Sequence, residues 1–167
     1  MKNVIINVNG NRLKVYNKNP VCNSGEMRLV IGVGNLDKIK ATGAVELESQ
    51  GKLSVHDLSM DYAGATKINM DLNAGNVETQ GSGSTEIHLK GQATSHRVNL
   101  SGSGELYAFD FVAGSYDITT AGASDCEINV LKSLNVHTSG ASDIKYKGNP
   151  SEVNNKKSGA SSITKVN

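Results

Sequence analysis

Ser139-Gly140-Ala141-Ser142-Asp143-Ile144 decides the fold, because near copies of it recur along most of the chain. Working outward toward the N-terminus, the copies are Ala121-Gly122-Ala123-Ser124-Asp125-Cys126, Ser101-Gly102-Ser103-Gly104-Glu105-Leu106, Ser82-Gly83-Ser84-Thr85-Glu86-Ile87, Ala63-Gly64-Ala65-Thr66-Lys67-Ile68 and Thr42-Gly43-Ala44-Val45-Glu46-Leu47. On the C-terminal side stands Ser158-Gly159-Ala160-Ser161-Ser162-Ile163. The glycines at 43, 64, 83, 102, 122, 140 and 159 are spaced by 21, 19, 19, 20, 18 and 19 residues. A period of this length and regularity marks a stacked repeat architecture.

Counting from each glycine separates an inside from an outside. Four residues after it stand Leu47, Ile68, Ile87, Leu106, Cys126, Ile144 and Ile163, and six after it Met70, Leu89, Ala108, Ile128 and Tyr146. Four residues before it stand Ile39, Met60, Thr79, Val98, Ile118, Val136 and Asn155, on a second strand. Three residues after it stand Glu46, Lys67, Glu86, Glu105, Asp125, Asp143 and Ser162, which the period-2 alternation of a strand places outside. Each period therefore holds two short strands, a corner at the glycine and a polar turn such as Lys90-Gly91-Gln92 or Lys147-Gly148-Asn149-Pro150. Stacking such units about 4.8 Å apart pairs their backbones and aligns like side chains in ladders. The prediction is an all-β chain: a single-stranded right-handed parallel β-helix with coils of about 19 residues. The variable interval favours right-handed coils over the rigid hexapeptide geometry of left-handed ones. An antiparallel sandwich also has short strands and frequent turns, but gives no cause for one signature to recur in one register.

The opening of the chain follows a different rule. Residues 4–8 and 12–16 are β-type runs around Asn9-Gly10-Asn11, a hairpin or tight-turn signal. Residues 17–26 read as a loop and 27–33 as a further strand. We expect one domain over 1–167, with irregular initial coils over 1–42 and regular repeats over 43–167.

Composition narrows the function classes. The 167 residues carry 17 basic and 16 acidic side chains, so the whole chain shows no electrostatic footprint for nucleic acid or an anionic membrane. Trp is absent and aromatics are few, which suits a thin aliphatic core. No run is long and apolar enough for a membrane span, and Met1 begins a stretch without the pattern of an export signal. Cys22 and Cys126 leave a disulfide open, but Cys126 occupies an Ile/Leu column and reads as a small buried hydrophobe.

Few residues suggest chemistry. Glu86, Glu105, Asp125 and Asp143 would form an outward ladder of carboxylates, able to bind Ca²⁺ or glycan hydroxyls, or to serve only as a solvated charged face. Tyr107 and Tyr116, with Phe109 and Phe111, form one aromatic cluster, read as a contact patch or as a local thickening of the core. The hydroxyls of Thr66, Thr85, Ser124, Ser142 and Ser161 suit bonding between coils, not nucleophilic catalysis. His56, His88, His96 and His137 lack metal-ligand spacing, and no cofactor is expected. Polysaccharide-lyase chemistry on a β-helix would need acids converging with a base, and Lys67 is the one basic residue in the acidic column.

The corners Ser-Gly-Ser-Gly-Glu-Leu (101–106), Ala-Gly-Ala-Ser-Asp (121–125), Ser-Gly-Ala-Ser-Asp-Ile (139–144) and Ser-Gly-Ala-Ser-Ser-Ile (158–163) resemble the autotransporter adhesin head GIN domain family, once a domain of unknown function and abundant in Bacteroidetes. The likeness spans residues 30–167 and is weaker over the first 29. It implies a β-helix exported to the cell envelope behind a signal peptide or lipoprotein signal; this chain starts without one, as a trimmed mature form would. The family offers no catalytic residues. The resemblance and the ladders together imply a non-enzymatic surface module, an adhesin binding glycan or protein, with a carbohydrate-active enzyme or a purely structural module as alternatives. β-Helix faces or ends would serve any oligomer.

Overall fold

The computed structural model describes residues 4–18 and 28–167. Among them every regular element is a strand: β1 (Val4–Asn9), β2 (Arg12–Asn17), β3 (Lys38–Lys147), β4 (Glu152–Gly159) and β5 (Ser162–Lys165). The chain divides into two units, Met1–Val33 and Gly34–Asn167.

In the first unit β1 and β2 pair antiparallel, with Ile6 opposite Val15 and Val8 opposite Leu13, around the Asn9-Gly10 turn the sequence signals. Gly10 has a positive φ of 55°, as a tight hairpin turn requires. The stretch in which irregular initial coils are expected, 1–42, thus holds this hairpin and the first residues of β3. The strand expected over 27–33 does not form: Arg28–Val33 is irregular, and Leu29, Val30, Ile31 and Val33 are exposed. Among the described residues no strand pairs with this apolar run, so it has no ladder to join. Of the loop expected over 17–26, Asn17 ends β2 instead, and residues 19–26 with Cys22, like Met27, lie outside the described residues.

In the second unit β3 runs unbroken for 110 residues because its corners stay within the pairing. It pairs in parallel with β4, Ser133–Gly140 opposite Glu152–Gly159, and with β5, Asp143–Tyr146 opposite Ser162–Lys165. Both registers offset the chain by one period. Side chains inside β3 bond at the same offset, Asn76 to Asp57 at 2.7 Å and Ser95 to Asn76 at 2.7 Å.

The corner glycines show why the signature recurs. Gly83 has φ 98°, a region that L side chains rarely adopt, and a Cβ added to it would stand 2.7 Å from the Gly64 carbonyl oxygen. The same relation links Gly64 to Gly43 and Gly102 to Gly83, so the corners stack backbone on backbone. The serine before the glycine has its own task. Ser82, Ser101 and Ser139 donate to the carbonyls of Tyr62, Gly81 and Thr120, each one period earlier, at 3.3 to 3.4 Å.

The inward columns form one core. Ile68, Ile87, Leu106, Cys126 and Ile144 are buried, as are Met60, Thr79, Val98, Ile118 and Val136 on the facing strand. Cys126 is the small hydrophobe its column implies, and burial pushes its thiol up to about 12. The hydroxyl column is partly knitted between periods: Thr120 and Ser142 share a 2.9 Å bond, while Thr66 and Ser124 keep buried oxygens without a hydrogen-bond partner among the described residues.

Candidate binding face

Two outward columns stand side by side on the strand that follows each corner. The first carries Glu46, Lys67, Glu86, Glu105, Asp125, Asp143 and Ser162; the second, two residues further on, carries Glu48, Asn69, His88, Tyr107, Glu127, Lys145 and Thr164. Alternation puts both outside, and Glu105, Tyr107 and Asp125 are exposed, with Glu86 and Asp143 half-buried.

Most of this face is already partnered. Lys67 Nζ and His88 Nε2 both lie 2.8 Å from Glu86 Oε1. Hydrogen bonds from Lys67 and His88 hold the Glu86 carboxyl below the usual range, while the bond to Glu86 raises Lys67. Tyr107 donates its hydroxyl to Glu105 Oε2 at 3.1 Å, which raises the phenol. The His88 and Tyr107 rings stack with centroids 4.7 Å apart, the spacing of adjacent strands. Asp143 accepts from Ser162 and stands 3.8 Å from Lys145 Nζ, which also lies 3.9 Å from Glu127. Next to these, Lys147 Nζ sits 4.6 Å above the Phe109 ring.

The ladder therefore gathers Glu86, Glu105, Asp125 and Asp143 along one surface, but the aromatic cluster does not hold together as a patch. Tyr107 is outside at 37% exposure, whereas Tyr116 is 1% exposed and Phe111 is fully buried. Tyr116 lies six residues before Gly122, in a column with Leu58, Val77, His96 and Leu134, all of them buried. Its place as a contact residue is corrected: it is core, and burial raises its phenol. Tyr107 gives one ring face to His88, so it offers an edge and its remaining face.

A shallow notch of about 250 Å³ opens in the acidic ladder, lined by Ser103, Gly104, Glu105, Ala123, Ser124, Asp125 and Ala141. Its floor is small: the corner residues Ser103, Ala123 and Ala141 carry short side chains, and Gly104 lies in the inward column of Thr85 and Ser124, where an added Cβ would meet the Leu100 side chain at 3.0 Å. Glu105 and Asp125 flank it as hydrogen-bond acceptors, and Asp125 forms no ion pair among the described residues. No group of three or more His, Cys, Asp or Glu among the described residues comes close enough to hold a metal ion, so the ladder does not converge as a Ca²⁺ cage would. The notch can accept donors such as hydroxyls or amides.

Ligand spacing in the sequence gives no hint of the place His96 takes. It is 1% exposed, with Nε2 2.9 Å from Thr79 Oγ1 and its ring edge-on to Phe111 at 5.6 Å. Burial pushes it down to about 3, so the imidazole is neutral. Its offset from Gly102, in the column of Val77 and Tyr116, is the signal that points it inward.

A family profile described as "Putative auto-transporter adhesin, head GIN domain" matches residues 1–150. No curated protein matches the chain. Among solved structures, a "putative adhesin" from Bacteroides fragilis NCTC 9343 superposes with a TM-score of 0.89 at 20% identity, covering 99% of this chain and 77% of that one. A "putative lipid binding protein" from Parabacteroides distasonis ATCC 8503 gives 0.79 at 25% identity, covering 99% and 80%. A "putative adhesin" from Parabacteroides merdae ATCC 43184 gives 0.66 at 17% identity, covering 99% and 79%.

Proposed function

We propose a binding function from one premise: the chain belongs to the auto-transporter adhesin head GIN domain family. It acts as a surface or cell-envelope module that presents a rigid ladder to a glycan or protein ligand, without catalysis. The fold that serves this is a right-handed parallel β-helix; the one-period parallel offset of β3 with β4 and β5 supports that reading.

The observation that carries the site is the notch at Gly104, where the ladder offers the carboxylates of Glu105 and Asp125 on either side of a depression. Glu86, Asp143 and the free edge of Tyr107 extend the contact along the same columns. A ligand with repeating hydroxyl or amide donors would meet like groups at the spacing of the strands, about 4.8 Å, so that weak contacts multiply. The scarcity of open aromatic faces puts the weight on hydrogen bonding, not ring stacking.

The test is a glycan array probed with the folded chain and with a Glu105→Gln/Asp125→Asn double variant, both with and without Ca²⁺. Signal for a defined polyhydroxylated class that the variant loses, unchanged by Ca²⁺, is the expected result. A blank array rejects the glycan ligand; signal that the variant retains removes the notch from the site.

A further inference from the structure

The balance of charge over the whole chain hides its distribution. Residues 1–33 carry Lys2, Arg12, Lys14, Lys18 and Arg28 against the single acid Glu26, which leaves 12 basic and 15 acidic residues for 34–167. The basic excess belongs to the unit that contains the hairpin β1–β2.

That hairpin is amphipathic in a defined way. Its register puts Val4, Ile6, Val8, Leu13 and Val15 on one face with Asn17 at its end, and Asn7, Asn9, Arg12 and Lys14 on the other, together with the facing pair Ile5 and Tyr16. On the apolar face Ile6 is 56% exposed and Val8 68%, with Leu13 exposed as well. Tyr16 and the nearby run of Leu29, Val30, Ile31 and Val33 add further exposed apolar area in the same unit. A two-stranded hairpin is marginal in water unless its apolar face is covered, and an exposed apolar face such as that of Ile6, Val8 and Leu13 marks an interaction site.

We propose that the hairpin docks on a bilayer bearing anionic phospholipids. The Val4, Ile6, Val8, Leu13 and Val15 face enters the boundary between headgroups and acyl chains, while Arg12, Lys14 and Lys18 meet the lipid phosphates. Charge selects this occupant. An apolar face beside a cationic one, with no acid among residues 4–18, is the pattern of an element lying in the membrane interface. The acidic ladder of the second unit plays no part, so this contact stands or falls separately from the ligand notch.

The experiment is co-sedimentation of the full chain with vesicles of phosphatidylcholine alone and of phosphatidylcholine and phosphatidylglycerol in equal parts, at low and high salt. Binding is expected on the mixed vesicles only and weakens as salt rises. Arg12→Gln/Lys14→Gln, which leaves the apolar face intact, is expected to weaken binding roughly 25-fold, at about fivefold per charge. Val8→Asp is expected to weaken it by about tenfold or more through the lost apolar burial. No binding to the mixed vesicles, equal binding to both compositions, or binding that both variants retain overturns the proposal. So does a lipid-free dimer that Val8→Asp dissociates in sedimentation equilibrium, since the face then belongs to a second copy.

Discussion

The periods between Leu58 and Ile144 and those that flank them share one sequence rule but differ in burial. In the first group the inward positions are closed to solvent, with Ile68, Ile87, Leu106 and Ile144 at 0% exposure. In the flanking periods the same columns hold Ile39, Leu47 and Ile163 only half-buried, and Asn155 and Lys157 exposed. The difference teaches that an inward side chain is buried by its neighbours above and below as much as by its own strand. Each period alone then contributes modest stability, and most of it arises where one period packs on the next. At the C-terminal end the inward columns turn polar, with Asn155 and Lys157, and Lys165 reaches out to Asn149 instead of into the core.

The largest effects should separate these two regions most clearly. Ile144→Asp places a carboxylate among Cys126 and Ile163 with no partner, and loses the packing of a fully buried side chain. The cost of about 4 kcal/mol or more is a large share of what a domain possesses, so the cooperative urea transition should disappear or shift far down. Leu47→Asp, in the same column but half-buried, should cost about half as much and keep the transition. Equal losses at the two positions would break the comparison.

The corners repeat the contrast with a different physics. Gly43 and Gly83 share φ values near 100°, but a Cβ at Gly43 meets nothing within 4 Å, while at Gly83 it meets the Gly64 oxygen at 2.7 Å. Gly43→Ala should therefore cost about 1–2 kcal/mol, the conformational strain alone. Gly83→Ala should cost about 3 kcal/mol or more, because backbone must move away from backbone. Thermal melts of the two variants give the answer, and similar shifts would mean that the corners do not stack.

Much of this is legible in the sequence, for a physical reason. A ladder repeats one environment every period, so the inward set, the corner glycines and the outward acids each recur and can be read by offset. What does not repeat is easily misread. Tyr116 looks like a partner of Tyr107 because the two are close in sequence, yet counting from the next glycine places it in the buried column of Leu58 and Leu134. Residues 28–33 have the composition of a strand but pair with no strand among the described residues, and composition does not reveal pairing. The role of Ser82, Ser101 and Ser139 before their corners depends on a carbonyl one period earlier, a relation that no local pattern contains.

His96 offers a pH test of the buried region. The folded state holds it neutral, with its titration moved down to about 3, whereas the unfolded chain takes up a proton near its ordinary value of about 6.5. Above about 6.5 neither state is protonated there and stability is independent of this group. As pH falls from about 6.5 toward 3 only the unfolded state binds the proton, so stability should drop by about 1.4 kcal/mol per pH unit from this group. Urea midpoints of the native chain and of His96→Leu should diverge progressively over that window, with the variant the less sensitive. Parallel curves would place a solvated, ordinary histidine at this position and open the core at Thr79.

The smallest effect belongs to the outer face, where position along the ladder should cease to matter. Asp143 is the sequence neighbour of Ile144, but its side chain is 42% exposed, beside Lys145 at 3.8 Å and Ser162. Exposed pairs of this kind contribute little, because water screens them and both side chains surrender freedom to meet. Asp143→Ala should therefore change the stability read from urea unfolding by no more than about 0.5 kcal/mol. Asp125→Ala, in the same outer column one period earlier, should behave the same. The two outer substitutions sharpen the first comparison by removing depth from it: neighbours above and below bury Ile144, while at Asp143 they only line up further polar groups. A loss at Asp143 as large as that at Ile144 would mean that the alternation of inside and outside along the strand is wrong, and with it the acidic ladder as an exposed binding face.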